Sequence, residues 1–157
     1  MTDTYEYGLP PIEQVATMSG RDVLQSIVDG RFPQAPISET LSFWIVEVGE
    51  GTAVFEGEPG PHLCNPMGSV HGGWSLTLID SATGSAGYST LPPGVGYTTI
   101  ETKGNLSRPI GMHTGRVRAE AHVIAAGKQV ISAECTIRTI DGKVVAHGTS
   151  TLLILRG

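Results

Sequence analysis

Between Gly115 and Ala125 the chain alternates between apolar and polar residues. Arginine, glutamate and histidine residues separate small apolar ones along this stretch. Because successive side chains of a strand point to opposite faces, the alternation predicts a β-strand with one buried face. The same reasoning predicts three further strands in the C-terminal half, at 97–107, 129–140 and 144–155.

The first part of the main body predicts two strands and one long helix. Residues 41–48 and 52–58 are separated by Gly-Glu-Gly, which is typical of a hairpin. A helical stretch follows at 71–88 and is rich in serine, alanine and glycine, small residues that let a helix approach a curved sheet. The order β-β-α-β-β-β-β predicts an α+β fold in which one helix covers an antiparallel sheet.

The N-terminal segment differs from this body. Apolar residues between 12 and 29 follow a helical period that is interrupted near Ser19-Gly20, and Ser19 is a suitable N-cap for the second piece. Two prolines favour an extended connector at 31–37. We therefore predict one domain, 1–157, made of a helical extension and connector at 1–38 and a core at 39–157.

Composition excludes several classes of function. The chain has 157 residues, of which 39% are hydrophobic and 16% charged, and its net charge of -5 argues against a nucleic-acid partner. No apolar run has the roughly 18 residues of a membrane span, and the start does not resemble a signal peptide, so we expect a cytoplasmic protein. The two cysteines and five histidines lack metal-ligand spacing, and we expect no metal site.

The sequence His71-Gly72-Gly73 lies where the long helix should begin. Backbone N–H groups in a first helical turn have no partner within the helix and carry the positive end of its dipole. Glycine lets a ligand approach these groups, which is how a donor to a developing oxyanion is built. The alternative is that the two glycines merely ease a loop into a helix.

Two further polar residues are candidates for chemistry, one before the helix start and one within the helix. Asp80 is the only charged residue between His71 and Tyr88 and lies among small and apolar residues, where a carboxylate needs a partner or a function. The alternative for Asp80 is a solvated helix face. Asn65, six residues before His71, carries an amide that could orient a water or a carbonyl, or could bond to its own turn.

Together these residues resemble the signature of the PaaI-type (phenylacetate-degradation) hotdog thioesterases. That signature is an Asn, then His-Gly-Gly, then an Asp nine residues after the His, as in Asn65, His71-Gly72-Gly73 and Asp80. The similarity covers roughly residues 37–155. It implies a hotdog fold, in which the sheet wraps around one central helix, and hydrolysis of an acyl-CoA thioester without a metal or an organic cofactor.

The resemblance also implies roles for the signature residues. The Gly72 N–H would donate to the thioester oxygen, and Asp80 would act as nucleophile or general base. Asn65 would position the water or the carbonyl, with His71 supporting it.

Further residues are implied outside the signature. A hydroxyl after the helix assists the Asp in this family, and Thr99 is the nearest match, with Thr98 as the alternative. Arg108 and Lys103 fit positions where basic residues meet the CoA phosphates, although both could be ordinary strand-end charges. Gly73 and Thr98 complete the predicted substrate-binding set.

Such enzymes build their site across a dimer interface, so Asp80 should face the partner's Gly72. Helix geometry agrees, because a rise of 1.5 Å per residue separates His71 from Asp80 by about 13 Å. We therefore expect a homodimer, with a homotetramer built as a dimer of dimers as the larger alternative.

Two alternatives use the same fold. A non-catalytic acyl-CoA binding or sensing protein would need Gly72 but not Asp80. A hotdog dehydratase would carry a different histidine motif, which this sequence lacks.

Overall fold

The central helix of the computed structural model, α4 (Gly72–Tyr88), contacts all six strands of one antiparallel sheet. The structure describes residues 4–157. The strands are β1 (Phe43–Gly49), β2 (Thr52–Gly57), β3 (Val95–Leu106), β4 (Val117–Ala126), β5 (Val130–Thr139) and β6 (Val144–Arg156).

Along the sheet the strands lie in the order β1-β2-β4-β5-β6-β3, and every neighbouring pair is antiparallel. The sheet wraps around α4, which confirms the predicted α+β hotdog fold. Each predicted strand begins and ends within two residues of the observed one, because alternation and turn residues are local signals.

The main core lies between α4 and the inner face of the sheet. Leu78, Ile79 and Ala82 on the helix are completely buried. On β4 the alternation predicted from the sequence is confirmed, since Val117 and Ala119 face this core. A helix that is buried on most sides has no need of a charged face, and Asp80 therefore stands out as an exception within it.

The N-terminal segment forms three short helices. They are α1 (Ile12–Val15), α2 (Gly20–Val28) and α3 (Pro36–Leu41). Ser19 caps α2 as predicted, because its hydroxyl accepts the Asp22 N–H at 3.2 Å. The prediction of an extended connector over 31–37 is wrong at its end. Pro36 begins α3, since a proline is tolerated in the first turn of a helix, where its missing N–H costs nothing.

The two edges of the sheet differ. At β1 the buried side chain of Gln34 donates to the Ile45 carbonyl at 3.2 Å and accepts the Ile45 N–H at 3.1 Å, so the N-terminal segment covers this edge. At the other edge, β3 pairs only with β6 within residues 4–157. A long strand with a free edge is a template for pairing with another chain.

No helix within residues 4–157 combines the length and the apolar character needed to cross a membrane.

Candidate active site

The start of α4 leaves the backbone N–H of Gly72 free. His71 is the N-cap, and its Nδ1 accepts the Gly73 N–H at 2.9 Å. The Trp74 N–H donates to the His71 carbonyl at 3.0 Å, and the His71 N–H is anchored on the Leu63 carbonyl at 2.8 Å. Across the described residues, 4–157, the Gly72 N–H has no hydrogen-bond partner. This N–H is therefore available to a ligand, at the positive end of the helix dipole.

The Gly72 backbone borders a cavity of about 330 Å³. Asn65 and Arg108 line the same cavity, so the structure brings together three of the residues predicted from the sequence. Ser75, one turn further along α4, also lines it. Ser75 is not among the predicted site residues, because a serine in a helix rich in small residues carries no signal of its own.

The Asn65 side chain bonds to its own loop. Its Oδ1 accepts the N–H groups of Met67 at 3.0 Å and Ser69 at 3.3 Å, and its Nδ2 donates to the Ser69 hydroxyl at 2.9 Å. These contacts are the ones expected if the Asn65 amide bonds to its own turn. The His71 side chain bonds to Gly73 and not to Asn65, so within one subunit it acts as the N-cap of α4.

Asp80 is half-buried between α4 and β3, so its carboxylate is not fully exposed to solvent within one subunit. The Thr102 hydroxyl donates to Asp80 Oδ1 at 3.1 Å. Thr102 Oγ1 also lies 3.0 Å from the hydroxyl oxygen of Ser150 on β6. Neither hydroxyl was predicted, because their proximity to Asp80 depends on how two distant strands are placed against the helix.

The predicted threonines occupy the same strand as Thr102. A bulge between Thr99 and Glu101 interrupts the alternation of β3. The half-buried residues are therefore Thr99 before the bulge and Thr102 after it, whereas Thr98 is exposed. Within one subunit, over the described residues, the hydroxyl bonded to Asp80 is that of Thr102.

Lys103 is not brought to the Gly72 cavity in one subunit. It is exposed on β3 and lines a different cavity, of about 360 Å³, together with His147 and Thr149. Arg108 is the predicted basic residue that lines the same cavity as Gly72.

The phenol of Tyr97 is affected by the charge of Asp80. Its burial, and then the negative charge of Asp80, raise the pKa of Tyr97 from 10.0 to about 12. Its ring packs against Tyr88, with centroids 5.7 Å apart. The Tyr97 phenol is therefore held neutral close to the carboxylate.

Asp80 does not line the cavity that contains Gly72. Asp80 lies eight positions after Gly72 on the helix, or about 12 Å at 1.5 Å per residue. A reacting carbonyl is only about 3 Å from each group that acts on it, so one subunit does not present both groups to one substrate.

The cysteines have no partner for redox or metal chemistry among the described residues. Cys64 and Cys135 are both free, and burial raises the pKa of the Cys135 thiol to about 12. Within residues 4–157 no group of three or more histidine, cysteine, aspartate or glutamate side chains is placed to hold a metal ion.

The six-stranded sheet wrapped around α4 is the fold of the hotdog thioesterases. A family model described as the thioesterase superfamily matches residues 67–146. The chain belongs to this superfamily and is a thioester hydrolase. The matched residues include Gly72, Asp80 and Thr102, whereas Asn65 and Ser150 lie outside them.

Solved structures show the same relationship. A conserved protein of Pseudomonas aeruginosa is 32% identical, with 76% of this chain and 94% of that chain covered and a TM-score of 0.71. A mutant of the phenylacetic acid degradation protein PaaI of Thermus thermophilus is 27% identical over 75% of this chain and 97% of that chain, with a TM-score of 0.68. A thioesterase of Haemophilus influenzae is 25% identical over 76% of this chain and 82% of that chain, with a TM-score of 0.71. These likenesses confirm the PaaI-type resemblance.

Proposed function

We propose that the protein hydrolyses acyl- or aryl-CoA thioesters to a carboxylic acid and free CoA. The observation that carries the proposal is the free N–H of Gly72, a residue that lines the same cavity as Arg108. The N–H is suited to polarise a thioester carbonyl, and the guanidinium is suited to bind a CoA phosphate. The protein's membership of the thioesterase superfamily supports the same chemistry.

In this proposal Asp80 supplies the carboxylate for the reaction. As a general base it takes a proton from water while the water oxygen attacks the carbonyl carbon. The oxyanion is stabilised by the Gly72 N–H until the C–S bond breaks, and Asp80 then returns the proton to the departing thiolate. As a nucleophile, Asp80 would attack the carbonyl carbon and expel the CoA thiolate as the C–S bond breaks. Water would then cleave the resulting mixed anhydride to the carboxylic acid and the regenerated Asp80 carboxylate.

The site is completed by a second subunit, paired along the free edge of β3. Asp80 is bonded to Thr102, and a side-chain carbon added to Gly72 would contact Leu106, so both groups lie beside β3. Four residues of strand span about 13 Å, close to the distance of about 12 Å along α4. A two-fold axis near Gly104 would therefore bring Asp80 of one subunit to the partner's Gly72.

Hydrophobic exposure on β3 supports this pairing. Ile100 is 57% exposed and Leu106 is 52% exposed, on the strand whose edge is free. We expect Ile100→Glu to give a monomer without activity, whereas Ile140→Glu, at a residue 89% exposed in the turn after β5, should leave the dimer intact. Sedimentation at several protein concentrations measures this, and an active monomer would overturn the shared site.

The activity is tested by thiol release from short, medium, long and aromatic acyl-CoA esters. Asp80→Asn should remove turnover of whichever ester is accepted, and Asp29→Asn, an exposed aspartate in the extension, is the matched control. Tight binding of CoA esters without turnover would favour the non-catalytic alternative.

Mixing two inactive variants tests whether the site is shared. Asp80→Asn and Gly72→Pro subunits each lack one group, but a heterodimer contains one site with both groups intact. Refolding the variants together at equal concentration should restore about a quarter of wild-type activity, since half of the dimers are mixed and each has one working site. No restoration would mean that Gly72 and Asp80 do not act across an interface.

A further inference from the structure

A chain of three hydroxyl groups leads from Asp80 into the core. Thr102 lies 3.1 Å from Asp80 Oδ1 and 3.0 Å from Ser150. The Ser150 hydroxyl lies 2.7 Å from that of Thr83, which in turn lies 2.7 Å from the Ile79 carbonyl. Thr83 and Ser150 are almost completely buried, so the chain ends inside the protein rather than in solvent.

The hydroxyl protons of this hydrogen-bonded chain can point in either of two directions, depending on whether Asp80 is ionised. With Asp80 ionised, the three hydroxyl protons can all point towards it, from Thr83 to Ser150 to Thr102 to the carboxylate. With Asp80 protonated, the carboxyl can donate to Thr102, and each hydroxyl then donates to the next, ending on the Ile79 carbonyl. Each hydroxyl has one proton, so both arrangements use every proton in a hydrogen bond.

We propose that Thr102 is the positioning residue for Asp80, and that the chain through Ser150 and Thr83 reverses direction when Asp80 gains or loses a proton. The inference rests on the proposed function, in which Asp80 takes a proton from water and returns it to the thiolate. It assigns Thr102 no contact with substrate.

The reversal explains why hydroxyls suit this place. A carboxylate that is charged before and neutral after proton transfer needs a neighbour that can both donate and accept. An amide or a cation offers its carboxylate neighbour a fixed donor, whereas a rotating hydroxyl serves either state. Because the far end of the chain is buried, water does not compete for its hydrogen bonds, and the chain can hold the carboxylate in both protonation states.

Three substitutions of nearly equal volume test the proposal: Thr102→Val, Ser150→Ala and Thr83→Val. We expect Thr102→Val to lower kcat by about 10- to 100-fold, the range for losing one hydrogen bond to a charged group, with little change in KM. Ser150→Ala should lower kcat less, and Thr83→Val least.

A purely structural role would give the opposite order. Thr83 and Ser150 are the more deeply buried residues, so their replacement should lower the Tm more than Thr102→Val does. Losses in kcat that followed the losses in Tm would overturn the proposal. Thr102→Ser keeps the hydroxyl and should restore kcat to within about threefold of wild type. Thr151→Val, which follows Ser150 directly on β6, is the matched control and should be as active as wild type.

A double variant separates failure of this inference from failure of the proposed function. If Thr102 acts through Asp80, Thr102→Val should cause little further loss in the Asp80→Asn background, measured at high enzyme concentration. Absence of thiol release by the wild-type protein would overturn the proposed function, and full activity of Asp80→Asn would overturn the role of Asp80 within it. Inactive Asp80→Asn with fully active Thr102→Val would overturn only the positioning role.

Discussion

Gly84 on α4 leaves the space that the Tyr97 hydroxyl occupies, since a side-chain carbon on Gly84 would lie 2.6 Å from that oxygen. Gly84→Ala should therefore destabilise the protein by about 1–3 kcal/mol, although alanine is the better helix former. Chemical denaturation measures this free energy of unfolding.

Removing the hydroxyl should relieve the clash. In the Tyr97→Phe background, Gly84→Ala should cost less than in wild type, because the closest contact is gone. An equal cost in both backgrounds would show that Tyr97 does not occupy the space beside Gly84.

The Gly72 N–H can be removed without breaking the helix. Gly72 is the first residue of α4, and His71 has φ −60° and ψ 132°, a conformation that a following proline favours. Gly72→Pro should lower kcat by about 10²–10³-fold, as expected for loss of one oxyanion donor, while helix content by circular dichroism is unchanged.

Gly72→Ala is the matched control for the proline variant. Both place a carbon against the exposed Leu106 side chain, but alanine keeps the N–H. Alanine should therefore retain most of kcat, and equal losses in the two variants would assign the effect to crowding instead.

Arg108 should act on the CoA part of the substrate. Arg108→Ala is expected to raise KM for CoA esters by about tenfold, the loss of roughly one charge-assisted hydrogen bond to a phosphate, with kcat little changed. A truncated thioester without the nucleotide should show no difference between wild type and variant.

Lys103→Ala provides a comparison for Arg108, because Lys103 lines a different cavity within one subunit. An effect of Lys103→Ala equal to that of Arg108→Ala would place the nucleotide across both positions, as the family resemblance predicted.

Alkaline pH should destabilise the protein through Tyr97. Its pKa of about 12 lies above the usual 10.0, so the folded state holds this proton more tightly than the unfolded state does. The stabilisation is fully present below pH 10 and is lost as pH rises towards 12, up to about 2–3 kcal/mol.

Tyr97→Phe should lack this part of the pH dependence when unfolding is measured from neutral to strongly alkaline pH. The Cys135 thiol, whose pKa is also raised to about 12, changes stability in the same direction but is present in both proteins. Asp80→Asn should lower the pKa of Tyr97, because the Asp80 charge is the second cause of its shift.

The sequence by itself determined the strands, the long helix and the start of that helix. Alternation along β4, the small residues of α4 and the His71 cap depend on neighbours in the chain, so local physics is enough to predict them. The distance between Gly72 and Asp80 along one helix was likewise predictable from the sequence alone.

Only the tertiary structure decided what contacts Asp80. The bulge after Thr99 shifts the alternation of β3, so counting along the sequence could not show that Thr102 faces the helix. Ser150 reaches the same place from β6 through the register of two strands distant in the chain. Strand register and bulges are set by packing across the whole sheet, and for that reason they are not encoded in any short stretch of sequence.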